Sequence, residues 1–143
     1  MNYCKLYIDV KMRIEELQAL IDDYIENFVE RDTIDAIVFK NESYRVCSNI
    51  DSATYPVDRS RYYVDVEPVL NEELGECTFE SVTAQLVNWL RQICGYVVAS
   101  CKFEDYIVEQ TGWNWTPEHP LPPKSSKGSA ICFSRTRGKN DQR

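Results

Sequence analysis

At 143 residues the chain is long enough for one hydrophobic core and too short for two comfortable domains, and 43% apolar with 27% charged residues is a globular composition. The net charge of −7 disfavours nucleic acid and anionic membranes as partners and favours basic proteins. That charge is unevenly held: residues 1–123 carry 10 Lys or Arg against 22 Asp or Glu, whereas residues 124–143 carry Lys124, Lys127, Arg135, Arg137, Lys139 and Arg143 against Asp141. A single acidic domain over 1–123 followed by a basic, disordered tail over 124–143 is therefore expected.

The N-terminal stretch turns polar before any long apolar run develops, so neither a secretory signal nor a membrane span is expected there, and the expected compartment is the cytoplasm. Tyr3 to Val10 alternates, with Cys4, Leu6, Ile8 and Val10 on one side and Tyr3, Lys5, Tyr7 and Asp9 on the other, which is the period of a half-buried strand. From about Lys11 to Glu30 the period lengthens. Ile14, Leu17, Leu20, Ile21, Tyr24, Ile25 and Phe28 form an apolar stripe, and Glu15, Glu16, Asp22, Asp23, Glu26 and Glu30 fill the outer face of a predicted helix.

Thr33 to about Val46 is rich in β-branched and aromatic residues and predicts a second strand, with an end before Asn41 as the shorter alternative. Cys47 to Ser60 has turn chemistry and reads as a long connection. Arg61 to Val69 alternates again, placing Tyr62, Val64 and Val66 opposite Arg61, Tyr63, Asp65 and Glu67. After the acidic turn at Asn71 to Glu76, Thr78 is a candidate N-cap for a helix carrying Phe79, Val82, Leu86, Trp89, Leu90 and Ile93, which Gly95 is placed to end in the left-handed conformation. Tyr96 to Cys101 predicts a fourth strand. Phe103 to Gln110 fits either a short helix or an extension, and the prolines at 117, 120, 122 and 123 exclude regular structure beyond Trp115.

The order β-α-β-β-α-β predicts an α+β fold of the ferredoxin-like type, a four-stranded antiparallel sheet with two helices on one face. The opposite face then carries Tyr3, Tyr7 and Tyr63 with Lys5, Asp9, Asp65 and Glu67. It resembles an RNA-binding aromatic platform in outline, yet such platforms need basic surroundings, and these are acidic. Trp113 and Trp115 either fold back over this sheet or leave it open to a protein partner.

Signs of catalysis are sparse. The one histidine, His119, sits beside Pro120 in the proline-rich exit segment, where fixed general-base geometry is hard to hold. Glycine-rich phosphate loops and nucleophile elbows are missing from the sequence. The six cysteines are irregularly spaced without a C-x-x-C pair, so free thiols are expected, with Cys4, Cys94 and Cys101 as core residues. The acid clusters lack the pattern of a calcium loop, and no metal or other cofactor is expected. An enzyme using Cys94 or Cys101 is the weaker reading.

The stretch Gly95-Tyr96-Val97-Val98-Ala99-Ser100-Cys101-Lys102-Phe103-Glu104-Asp105, then Thr111-Gly112-Trp113-Asn114-Trp115, with the acidic helix after a short first strand, resembles small bacterial immunity proteins of polymorphic toxin systems, of the contact-dependent growth inhibition or Rhs type. The resemblance spans about residues 1–120. It implies a cytoplasmic protein that is not an enzyme and that binds and neutralises a cognate, basic toxin domain. Many toxins of such systems are nucleases, and an acidic surface competes with the phosphate backbone while steering association. The partner-binding candidates are Asp22, Asp23, Glu26 and Glu30 on the first helix and Tyr7, Asp9, Tyr63, Asp65 and Glu67 on the sheet, with Glu72, Glu73 and Glu76 as an alternative acidic surface. A rival reading from another class is a ferredoxin-like domain that senses a small molecule and dimerises through its sheet.

Overall fold

A computed structural model of the chain describes residues 3–29, 33–45, 55–69 and 76–123. It contains β1 (Cys4–Asp9), α1 (Ile14–Phe28), β2 (Ile34–Lys40), α2 (Pro56–Arg59), β3 (Tyr62–Pro68), α3 (Glu76–Cys94), β4 (Tyr96–Cys101) and α4 (Glu104–Thr111). The four strands form one open sheet in the order β2-β3-β1-β4, and every neighbouring pair is antiparallel. The class is α+β.

Period-two alternation in β1 and β3 translates directly into burial. Cys4, Leu6 and Ile8 pair with Val66, Val64 and Tyr62 across the ladder, so their side chains share one face of the sheet. Ala36 and Val38 of β2 and Val97 and Ala99 of β4 complete that face. Leu17, Ile21 and Tyr24 of α1, Phe79, Leu86, Val87 and Leu90 of α3, and Ile107 of α4 close over it to form the main core. Each fully buried Leu, Ile or Val contributes about 1.5–3 kcal/mol relative to exposure, so this layer is the principal source of stability.

Several element boundaries differ from expectation for local reasons. Helix α3 already includes Glu76 and Cys77, so Thr78 lies inside its first turn rather than at the cap; a cap preference of about 1 kcal/mol does not stop a helix from starting upstream. The segment after Phe103 is helical, ending where Gly112 takes φ +94° and donates its N–H to the Val108 carbonyl. Gly95 takes φ +83° at the end of α3, as its placement predicted, and this turn feeds the chain straight into β4. The connection before β3 contains the single-turn helix α2, opened by Pro56 at its first position. Among the described residues no helix is long and apolar enough to cross a membrane. The expected basic tail over 124–143 lies outside the described residues.

Candidate protein-binding face

The second face of the sheet is built from the alternate residues of each strand. Cross-strand register sets them in rows: Asp35 beside Glu67; Ile37, Asp65, Lys5 and Ser100; then Phe39, Tyr63, Tyr7 and Val98; and Asp9 beside Tyr96. The two halves of this face are treated differently.

On the β4 side the chain after α4 folds back over the sheet. Trp113 is 7% exposed and packs on Tyr96 and Val98, with Tyr7 and Trp115 against the same cluster. The Arg59 guanidinium lies 4.0 Å from the centre of the Tyr96 ring, and Tyr55 meets Trp115 at 5.2 Å between ring centres. Arg91 and Asn114 fix this cover. Arg91 donates through Nε to the Val97 carbonyl (3.0 Å) and through Nη1 to Thr111 Oγ1 (2.6 Å) and the Trp113 carbonyl (2.7 Å). The side-chain amide of Asn114 accepts the Ala99 N–H and donates to the Ala99 carbonyl, both at 2.9 Å. Burial pulls the Arg91 guanidinium down to about 10.

On the β2 side the face stays open. Ile37 is 49% exposed, Phe39 39% and Tyr3 37%, large fractions for apolar and aromatic side chains on a sheet. Phe39 stacks on Tyr63 at 5.2 Å between ring centres, and Tyr63 lies 6.4 Å from Tyr7. Lys5 Nζ sits 4.5 Å over the Tyr63 ring, and the Tyr3 hydroxyl donates to Asp65 Oδ1 at 2.5 Å. Desolvation, then the hydrogen bond to Asp65, pushes the Tyr3 phenol well above its ordinary range. Desolvation and then the Asp65 charge raise Tyr7. Both phenols are therefore neutral donors over the whole physiological range. The result is a contiguous aromatic and aliphatic patch crossed by one Lys–Asp row and bordered by Asp35 and Glu67.

The sequence candidates divide between two surfaces. Tyr7, Tyr63, Asp65 and Glu67 fall on the open face, with Tyr7 at the boundary of the tryptophan cover. Asp9 lies at the covered end, with its Oδ1 4.0 Å from Arg61 Nε. Asp22, Asp23 and Glu26 are exposed on α1, which packs on the other side of the sheet. Asp22 accepts a hydrogen bond from Gln18 Nε2 at 2.9 Å, and Asp23 holds Asn27 at 3.0 Å. The helix and sheet candidates thus do not form one cluster. Glu30, Glu72 and Glu73, and the side chain of Glu76, lie outside the described residues.

Two members of the open face, Ile37 and Phe39, were missed as site residues. The sequence gives little signal for them, because residues 36–39 are apolar throughout and only the structure shows Asp35, Ile37 and Phe39 exposed in alternation with the buried Ala36 and Val38.

An open apolar groove of about 530 Å³ runs between Val108 of α4 and Trp113, Pro120, Leu121 and Pro123. His119 borders it, held by its backbone through the Trp113 indole and Thr116 rather than by its ring. Among the described residues, no group of three His, Cys, Asp or Glu side chains is gathered closely enough to hold a metal ion. Compared with protein-family models, curated proteins and solved structures, the chain finds no match.

Proposed function

We propose that this chain is a binding protein of the immunity type, which neutralises a basic toxin domain by docking it on the open half of the sheet. The observation that carries the reading is the patch of Ile37, Phe39 and Tyr3, which stays exposed around the half-buried Tyr63 while the neighbouring half of the same face is sealed by Trp113. Aromatic side chains bring large contact area at low entropic cost, and carboxylates at the border select and steer a basic partner. The reading assigns the chain no reaction and places it in the cytoplasm, where a toxin that reaches its target would be met.

The fold is proposed to be ferredoxin-like, with α2 and α4 as additions. The order β2-β3-β1-β4 with antiparallel neighbours and α1 and α3 packed on one face supports this arrangement.

Co-expression with the C-terminal domain of a toxin encoded beside this chain tests the function. Protected cells are expected, with protection lost when Phe39→Asp and Tyr63→Asp are combined in a chain that remains soluble and folded. Cell death despite abundant folded wild-type protein, or protection undiminished by the double substitution, would contradict it. Sedimentation of the free chain separates the rival: a sheet-mediated dimer dispersed by Phe39→Asp would favour self-association over toxin binding.

A further inference from the structure

Cys4 begins β1 and Cys101 ends β4, and the two are direct partners across the antiparallel ladder. Which kind of pair they form follows from where the backbone of β4 points. In an antiparallel strand the N–H and C=O of one residue point the same way. The Val97 carbonyl accepts from Arg91, the Ala99 N–H and carbonyl bond Asn114, and the Cys101 N–H donates to Glu104 Oε2 at 3.1 Å. All of these partners lie outside the sheet, so residues 97, 99 and 101 turn their backbone away from β1. Cys4 and Cys101 are therefore a non-hydrogen-bonded pair, the arrangement that brings side chains closest, with Cα atoms about 4.5 Å apart. That separation falls at the short end of the range a disulfide spans, about 4.4–6.8 Å. Their side chains share the core face, and the Cys4 thiol donates to the Lys5 carbonyl at 3.9 Å.

The thiols are not equivalent. Cys4 is fully buried, whereas Cys101 is partly exposed at the end of its strand. The neighbouring Cys4 thiol, then the Phe103 backbone N–H, lower the Cys101 thiol from its ordinary range, against desolvation and the Glu104 carboxylate. Cys4, as donor in a dry site, retains its proton.

We propose that Cys4 and Cys101 form a peroxide-reactive dithiol that closes to a reversible cross-strand disulfide. The Cys101 thiolate attacks one oxygen of a hydroperoxide; the O–O bond breaks, and the departing oxyanion takes a proton to leave as water or an alcohol. Cys101 is then a sulfenic acid. The Cys4 sulfur attacks Cys101 Sγ, the S–O bond breaks, and the Cys4 proton leaves with the hydroxyl as water. The dithiol loses two electrons to the peroxide. Two small-molecule thiols reverse the step by exchange. Partial exposure of Cys101 leaves the bond open to reduction. This inference is independent of the proposed docking on the other face of the sheet.

The test is to treat the reduced full-length chain with hydrogen peroxide, block free thiols with N-ethylmaleimide, and map tryptic peptides by mass. The expected product links residues 1–5 to residues 92–102 with loss of two hydrogens, forms in wild type and in Cys94→Ser, and disappears on dithiothreitol treatment. It should not form in Cys101→Ser or Cys4→Ala. In Cys4→Ala the reaction should stop at a Cys101 sulfenic acid captured by dimedone. Because Cys101 is partly exposed, Cys101→Ser keeps the test interpretable if Cys4→Ala unfolds. Full alkylation of both cysteines after peroxide in a chain with a folded circular dichroism spectrum would overturn the proposal, as would a link that needs Cys94 in place of Cys101.

Discussion

Arg91 and Tyr96 show how differently two polar groups are handled under the same cover. The Arg91 guanidinium is surrounded by the carbonyls of Val97 and Trp113, the Thr111 hydroxyl, the Asn114 side-chain oxygen and the face of the Trp113 ring, and so stays charged without a carboxylate close by among the described residues. The Tyr96 hydroxyl is buried with no hydrogen-bond partner among them. An unsatisfied buried hydroxyl costs about 1–3 kcal/mol. Tyr96→Phe is accordingly expected to leave stability unchanged or raise it by up to about 1 kcal/mol in urea titrations. Burial also pushes the Tyr96 phenol up to about 12, with Arg59 opposing and Asp9 reinforcing the shift. An unfolded tyrosine ionises near 10. The neutral phenol therefore contributes stability that is complete below about pH 10 and is lost as the pH rises through about 12. Ultraviolet titration of the folded chain should show one fewer late-ionising phenol in Tyr96→Phe; an unchanged late titration would place the shift elsewhere.

At the scale of elements, both sheet edges are closed by side-chain amides that imitate a neighbouring strand. Gln18 of α1 donates to the Ala36 carbonyl (3.0 Å) and accepts the Val38 N–H (2.8 Å) on β2, and Asn114 does the same for Ala99 on β4. An unprotected edge is a template for pairing with another chain. Gln18→Ala should cost about 1–2 kcal/mol and expose β2, with concentration-dependent association visible in light scattering. A monomeric variant of wild-type stability would show that the amide is dispensable. These devices explain what was and was not legible in the sequence. β1 and β3 were readable because their burial repeats every second residue, β4 because a short apolar run follows Gly95, and α1 because its apolar stripe repeats every three or four. Gln18 and Asn114 act 15 to 20 residues from their partners and leave no local periodicity. The same holds for Arg91, whose partners gather only when α4 and the segment after it pack on β4. The division of the acidic candidates, by contrast, was legible, because the alternation of β1 and β3 already set the tyrosines on the side of the sheet opposite α1, where they lie.

For the whole molecule, this division separates two roles for charge. Asp22, Asp23 and Glu26 on the helix layer lie away from the aromatic patch, and under the proposed docking they would act on a basic partner only through the long-range field, which about 0.15 M salt screens beyond roughly 8 Å. Ile37, Phe39 and Tyr63 lie on the open face, where contact energy would be concentrated in a few aromatic anchors. The measurement that tests this most directly is the affinity of the full chain for the C-terminal domain of the toxin proposed as its partner, at physiological salt, by titration calorimetry. Phe39→Asp with Tyr63→Asp should weaken Kd by about 100-fold or more, corresponding to about 3 kcal/mol, while charge reversal at Asp22, Asp23 and Glu26 should change it by less than about 10-fold. An unchanged Kd in the sheet variant, with the loss falling instead on the helix variant, would contradict the open face as the binding surface.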